Sequence, residues 1–107
     1  MIIEDNLILT RVEPDGNGGT QFLYRVQEYG LAVINRPQED ISRIHWEVDV
    51  IKYHDGKTLD FEVCHSTDLA KKTLKFFNDK SLNEFIQKAF LYFKELNTLE
   101  KMLPTEG

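Results

Sequence analysis

The chain has 107 residues, a formal net charge of −5 and a single cysteine: one domain with room for a core, no intrachain disulfide, and a charge that disfavours indiscriminate binding to nucleic acid. No apolar run approaches the roughly 18–20 residues of a membrane span, and Met1–Asn6 has no basic leader. The expectation is a cytoplasmic protein that contacts neither membrane nor nucleic acid directly.

Asn6–Glu13 reads as a first strand, rich in aliphatic and β-branched residues. Pro14-Asp15-Gly16-Asn17-Gly18-Gly19 ends it in a turn. Asp15-Gly16-Asn17 resembles the start of a calcium loop, but Thr20 and Val26 stand where an EF-hand needs Gly and Glu. A glycine-rich phosphate cradle also fails, because a strand follows instead of a helix. Thr20–Gln27 is the second strand, with Phe22, Tyr24 and Val26 on one parity. Glu28-Tyr29-Gly30 reads as a tight turn and Leu31–Asn35 as a third strand. Arg36–Asp40 is a polar break, since Pro37 cannot donate to a ladder.

Ile44–Tyr53 carries the clearest pattern. Ile44, Trp46, Val48 and Val50 share one parity, and His45, Glu47 and Asp49 the other, as in a half-buried strand. Asp55-Gly56 follows, the dipeptide of a two-residue hairpin, and then Leu59–Cys64 alternates again. With that loop, Val50 faces Phe61, Val48 faces Val63 and Lys52 faces Leu59 on the inner side. Asp49 then stands opposite Glu62, with Glu47 and Asp60 on the same outer face. Like charges in register destabilise a sheet. The four carboxylates therefore call for arginines alongside (Arg11, Arg25 or Arg43), a basic partner, or a hard cation of the Mg²⁺ or Ca²⁺ type.

Beyond Cys64 the period changes. His65-Ser66-Thr67-Asp68 offers capping oxygens, and Leu69, Ala70, Thr73, Leu74 and Phe77 recur at helical spacing. Asn78-Asp79-Lys80 interrupts, and Ser81 with Glu84 makes a capping box for a second helix closed near Pro104. The expected fold is α+β: a five-stranded antiparallel meander over 6–64, with two C-terminal helices at about 67–78 and 82–103 packed on one face. The second helix carries more apolar surface than one stripe needs. Leu91, Tyr92, Leu99, Met102 and Leu103 lie off it or beyond it, so the helix is either gripped between the sheet and the shorter helix, burying two sides, or offers these residues as an interface to a second copy or a partner's groove.

In that register Cys64 faces Glu47, with His45 two residues away, so a thiol, an imidazole and a carboxylate meet. No cysteine-hydrolase signature or oxyanion hole accompanies them, and a lone cysteine in a strand is usually a small buried hydrophobe. His54 falls at the hairpin tip and His65 on the inner side, so the three histidines do not converge. No catalytic residue, metal ligand or cofactor is assigned.

Tyr24-Arg25, Tyr29-Gly30-Leu31-Ala32-Val33-Ile34 and Trp46-Glu47-Val48-Asp49-Val50-Ile51-Lys52 resemble a group of small phage and prophage proteins. That group carries Tyr-Arg-Phe, Asn-Gly-Tyr-Gly-Ala-Ser-Val-Val and Leu-Trp-Glu-x-Ala-Val-Leu. The likeness spans about the middle third. It departs at Gln27-Glu28, where the group has Asn-Gly, and at Asp49, where it has an apolar residue. It implies a mobile-element origin and carries no activity.

Together these features predict a small non-enzymatic protein that binds a basic protein surface through Glu47, Asp49, Asp60 and Glu62, in the manner of a phage-type inhibitor of a host nucleic-acid-handling protein. The alternatives are a homo-oligomeric structural or accessory protein joined through its last helix, as a homodimer, and a metal- or thiol-dependent enzyme around Cys64, His45 and Glu47.

Overall fold

The computed structural model describes residues 2–16, 18–36, 45–54 and 59–102. Among these described residues, six strands precede one helix: β1 (Leu7–Val12), β2 (Thr20–Val26), β3 (Tyr29–Arg36), β4 (His45–Tyr53), β5 (Phe61–Val63), β6 (Leu74–Phe76) and α1 (Asp79–Met102). The strands form one antiparallel sheet in the order β1-β2-β3-β4-β5, and β6 also pairs with β4. The expected α+β class and antiparallel sheet are present.

The two-helix expectation is corrected: the sheet carries one C-terminal helix. In place of the helix over 67–78, the chain runs irregularly and then forms β6, whose Leu74 and Phe76 pair with Val48 and Trp46. Leu69, Ala70, Thr73 and Leu74 fit a helical stripe, but Leu74 and Phe76 equally fit a period of two. A helix of about three turns is marginal by itself, whereas β6 satisfies backbone groups on the edge of β4 that β5 does not reach. α1 also starts before the capping box. Asn78 is the cap, its Oδ1 accepting from the Ser81 amide at 2.7 Å and its carbonyl from the Leu82 amide at 3.2 Å.

On the inner face, Tyr24, Val26, Leu31, Val33, Trp46, Val48 and Val50 meet Leu82, Ile86, Ala89, Phe90 and Phe93 of α1. Each large side chain fully buried here contributes about 1.5–3 kcal/mol. Trp46 Nε1 donates to Asp79 Oδ1 at 3.1 Å, fixing the start of α1 on the sheet. At the other end Asn97 Nδ2 donates to the Val26 carbonyl at 2.9 Å, and Tyr29 Oη donates to Glu100 Oε1 at 2.5 Å. Burial, helped by Glu100, pushes the Tyr29 phenol upward in pKa.

The β4–β5 register is also corrected. Ile51 pairs with Val63, Lys52 with Glu62 and Tyr53 with Phe61, a shift of three residues from the hairpin anticipated around Asp55-Gly56. An odd shift exchanges the faces of the incoming strand. Phe61 and Val63 move to the outer face, and Glu62 and Cys64 to the helix side. The expected loop, Asp55-Gly56 with Lys57, lies outside the described residues, as do Asn17, Pro37, Arg43, Ile44, Leu103 and Pro104.

The outer face is not uniformly polar. Leu23, Ala32, Ile51 and Tyr53 form a second buried cluster, with Leu9 and Phe61 against it. Tyr53 lies over Gly30 and its Oη donates to the Tyr24 carbonyl at 3.1 Å, so one side chain crosses β3 to reach β2. A Cβ at Gly30 would strike that same carbonyl and come within 2.9 Å of the Tyr53 ring. The Arg25 guanidinium also lies over the Tyr53 ring, 4.3 Å from its centroid. The tight turn lies at Gln27-Glu28, since Val26 pairs directly with Tyr29, and Gln27 takes a positive φ of 58°. No helix among the described residues is long and apolar enough to cross a membrane.

Candidate functional site

Two regions concentrate chemistry: a charge network on the outer sheet face, and the C-terminal half of α1. The network begins where β3 meets β4. Arg36 pairs with His45 across the ladder, so its side chain falls on the face that carries Glu47. Arg36 Nε donates to Glu47 Oε2 at 3.1 Å and its Nη1 to Glu13 Oε2 at 3.2 Å. The same Nη1 reaches the Gly18 carbonyl at 3.1 Å, which ties the turn after β1 to the sheet. His45 Nε2 lies 3.3 Å from Glu47 Oε1. Burial would push the Glu47 carboxyl up, but the hydrogen bonds from Arg36 and His45 outweigh it and hold the group below its usual range.

Asp49 has its own partners. His65 Nε2 lies 3.0 Å from Asp49 Oδ1, and Thr73 Oγ1 donates to the same oxygen at 2.6 Å. His65 was expected on the inner side. It reaches the outer face because Cys64 is the residue opposite Val50, its amide donating to the Val50 carbonyl at 2.7 Å. The segment after β5 thus delivers an imidazole and a hydroxyl to the carboxylate whose neighbour was expected to be Glu62.

The structure therefore disperses the four carboxylates assigned to one docking face. Glu47 and Asp49 share the outer face, and each is engaged by side chains of its own chain. Glu62 stands across from Lys52 on the helix side, 4.0 Å from His54 Nε2. Asp60 lies just before β5, its carbonyl accepting from the His54 amide at 2.9 Å. Arg36, which the sequence placed in a break, is the residue that joins Glu13 to Glu47. Its signal was available: one more alternation beyond Ile34 puts it on the parity facing β4's acidic residues.

Cys64, His45 and Glu47 do not meet either. Cys64 packs against the inner core and lies 3.4 Å from Ser66 Oγ, while His45 and Glu47 occupy the opposite face. No group of three or more His, Cys, Asp or Glu among the described residues is placed to hold a metal ion.

The C-terminal half of α1 presents a different surface. Leu82, Ile86, Ala89, Phe93 and Asn97 face the sheet, which turns Leu91, Glu95, Thr98 and Met102 outward at i, i+4, i+7 and i+11. Leu91 is 65% exposed, Leu99 60% and Met102 74%. A shallow depression of about 430 Å³ is lined by Lys94, Glu95, Thr98 and Leu99. A second, of about 290 Å³, lies on the neighbouring flank, lined by Asp68, Tyr92, Glu95, Leu96 and Leu99. Tyr92 is half-buried there, its Oη accepting from the Asp68 amide at 3.3 Å. Of the five interface residues anticipated, Leu91, Leu99 and Met102 are solvent-facing, Tyr92 borders the second depression, and Leu103 is outside the described residues. No protein-family model, curated protein or solved structure matches this chain.

Proposed function

We propose that the protein is a non-catalytic binding module that engages another polypeptide through the C-terminal half of α1. The observation that carries this reading is the row of large apolar side chains, Leu91, Leu99 and Met102, standing exposed beside a 430 Å³ depression. An apolar strip of this kind on a helix suits contact with a partner helix or groove. Docking of an acidic sheet face on a basic surface has less support, because Glu47 and Asp49 are engaged within the chain and Glu62 lies on the other side. Thiol chemistry has less support still, with Cys64 turned away from His45.

The test is the triple variant Leu91→Glu/Leu99→Glu/Met102→Glu. These side chains are exposed, so the circular dichroism spectrum and melting temperature should stay close to those of the parent. Association, whether with itself or with proteins captured from cell extract, should weaken at least about tenfold, as expected when anchor residues are lost. Undiminished association by a folded triple variant would end this reading.

A further inference from the structure

We infer that the polar cleft between the β2–β3 turn and the last turns of α1 binds a small free amino acid. The cleft encloses about 200 Å³ and is lined by Gln27, Glu28, Asn97, Glu100 and Lys101. It lies apart from the exposed apolar row, because Asn97 is on the side of α1 that faces the sheet. Its floor holds an unused acceptor. Asn97 is 4% exposed, and its Nδ2 donates to two carbonyls, those of Val26 at 2.9 Å and Phe93 at 2.7 Å. Both amide hydrogens are thereby engaged and the orientation of the group is fixed. Oδ1 has no donor among the described residues. Among those residues Thr67 Oγ1 is the one side-chain polar atom both sealed from solvent and unpaired, so Asn97 Oδ1 opens onto the cleft that its residue lines.

Two carboxylates stand beside that acceptor. Glu100 is three residues on from Asn97, a spacing that puts both on one side of the helix. One of its oxygens accepts from Tyr29 Oη, and the other has no donor among the described residues. The Glu28 carboxylate lies near the same phenol, where its charge adds to that of Glu100 in raising the Tyr29 pKa. Neither carboxylate has an ion-pair partner among the described residues. Three free acceptors thus line one cleft, and a primary ammonium brings three N–H donors and no acceptor. The carboxyl end of a helix favours positive charge as well. Lys101 sets the other half of the ligand. Its ammonium, also without an ion-pair partner among the described residues, disfavours a bare cation and calls for a carboxylate. A free amino acid carries both groups on one carbon. The cleft is smaller than the roughly 300 Å³ at which drug-sized ligand pockets begin, which restricts it to glycine, alanine or serine.

The test titrates the nitrogen-15-labelled full chain with glycine, L-alanine and L-serine. At least one should give saturable shifts of the Glu28 and Lys101 amides and of the Asn97 side-chain amide, with a dissociation constant of about 1 mM or tighter. N-acetyl-L-alanine, which has no ammonium, should leave these signals in place. Asn97 also ties α1 to β2, so the variants are made at the exposed rim instead. Glu28→Gln and Lys101→Gln should keep the parent melting temperature and each weaken binding about tenfold, as loss of a charge-assisted contact predicts. No saturable shift from any of the three amino acids would overturn the proposal, as would rim variants that bind as well as the parent. L-alaninamide binding as tightly as L-alanine would overturn the free amino acid and assign the cleft to a peptide's amino terminus. Calcium chloride moving the same signals at lower concentration than any amino acid would assign it to a metal ion. These outcomes leave the role of Leu91, Leu99 and Met102 untouched.

Discussion

Along one edge, β4 pairs with β3 through eight consecutive residues, from Tyr29–Lys52 to Arg36–His45, without a register shift. Along the other it is shared, with three residues of β5 near its end and three of β6 near its start. The first edge is held by continuity: every residue of a long alternating pair supports its neighbours, and a slip would move the whole apolar set to the wrong face. The second is held by what each short strand brings. Phe61 packs edge-on to Tyr53 at 5.6 Å between centroids, and Phe76 lies against Phe85 of α1 at 5.2 Å. Long strands find their register in themselves, and strands of three residues find it in their surroundings.

The harshest way to break the continuous edge is Gly30→Ala. The new methyl meets the Tyr24 carbonyl and the Tyr53 ring, both part of rigid, buried structure, so the loss should be about 3 kcal/mol or more. Urea denaturation measures it, and a loss below about 1 kcal/mol would mean that Tyr53 does not bridge β3 as described. The shared edge should give way more gently. Phe76→Ala removes a half-buried ring and should cost about 1–2 kcal/mol. Amide exchange should quicken at Leu74–Phe76 and at the first turn of α1 while β2 and β3 stay protected; uniform loss of protection would show that the two edges are one cooperative unit.

The smallest effect sharpens the comparison electrostatically, through the Arg36–Glu47 link that straps β3 to β4. The folded Glu47 carboxyl sits below its usual range, so it binds protons less readily folded than unfolded. Its contribution is present above the ordinary glutamate range near pH 4.3 and is lost as pH falls through the depressed value. Glu47 is partly solvent-accessible, so the contribution is on the order of 1 kcal/mol or less. Melting followed from pH 7 down to pH 3 should show a shallower decline for Glu47→Gln than for the parent. Parallel profiles would assign the acid sensitivity elsewhere.

The same two edges explain what could be read from the residues alone. β2 and the inner side of β4 were legible because Phe22, Tyr24 and Val26 share one parity and Trp46, Val48 and Val50 alternate with polar residues, and β3 because Leu31–Ile34 is a short apolar run between polar breaks. The β4–β5 pairing was not, since Ile51 and Tyr53 make the end of β4 apolar on both faces. Phe61 and Val63 then satisfy either parity, and Asp55-Gly56 favours a register three residues away from the observed one. β6 was hidden for a related reason: Leu74 and Phe76 belong to two periodicities at once, and only the unfilled edge of β4 decides between them. The acidic face failed with the register, and the partners of Glu47 and Asp49 came from Arg36 and His65, one assigned to a break and the other to the opposite side. The exposure of Leu91, Leu99 and Met102 follows from their place off the apolar stripe of α1, which is visible without knowing what the helix packs on.

The chain has one tryptophan, and Trp46 occupies the joint between sheet and helix: edge-on to Phe22 at 5.8 Å, paired with Phe76, and hydrogen-bonded to Asp79. Its fluorescence is therefore an intrinsic gauge of whether the amino end of α1 is seated. Loosening there should shift the indole emission to the red, while an event confined to the far half of the helix, several turns away, should leave the colour of that light unchanged.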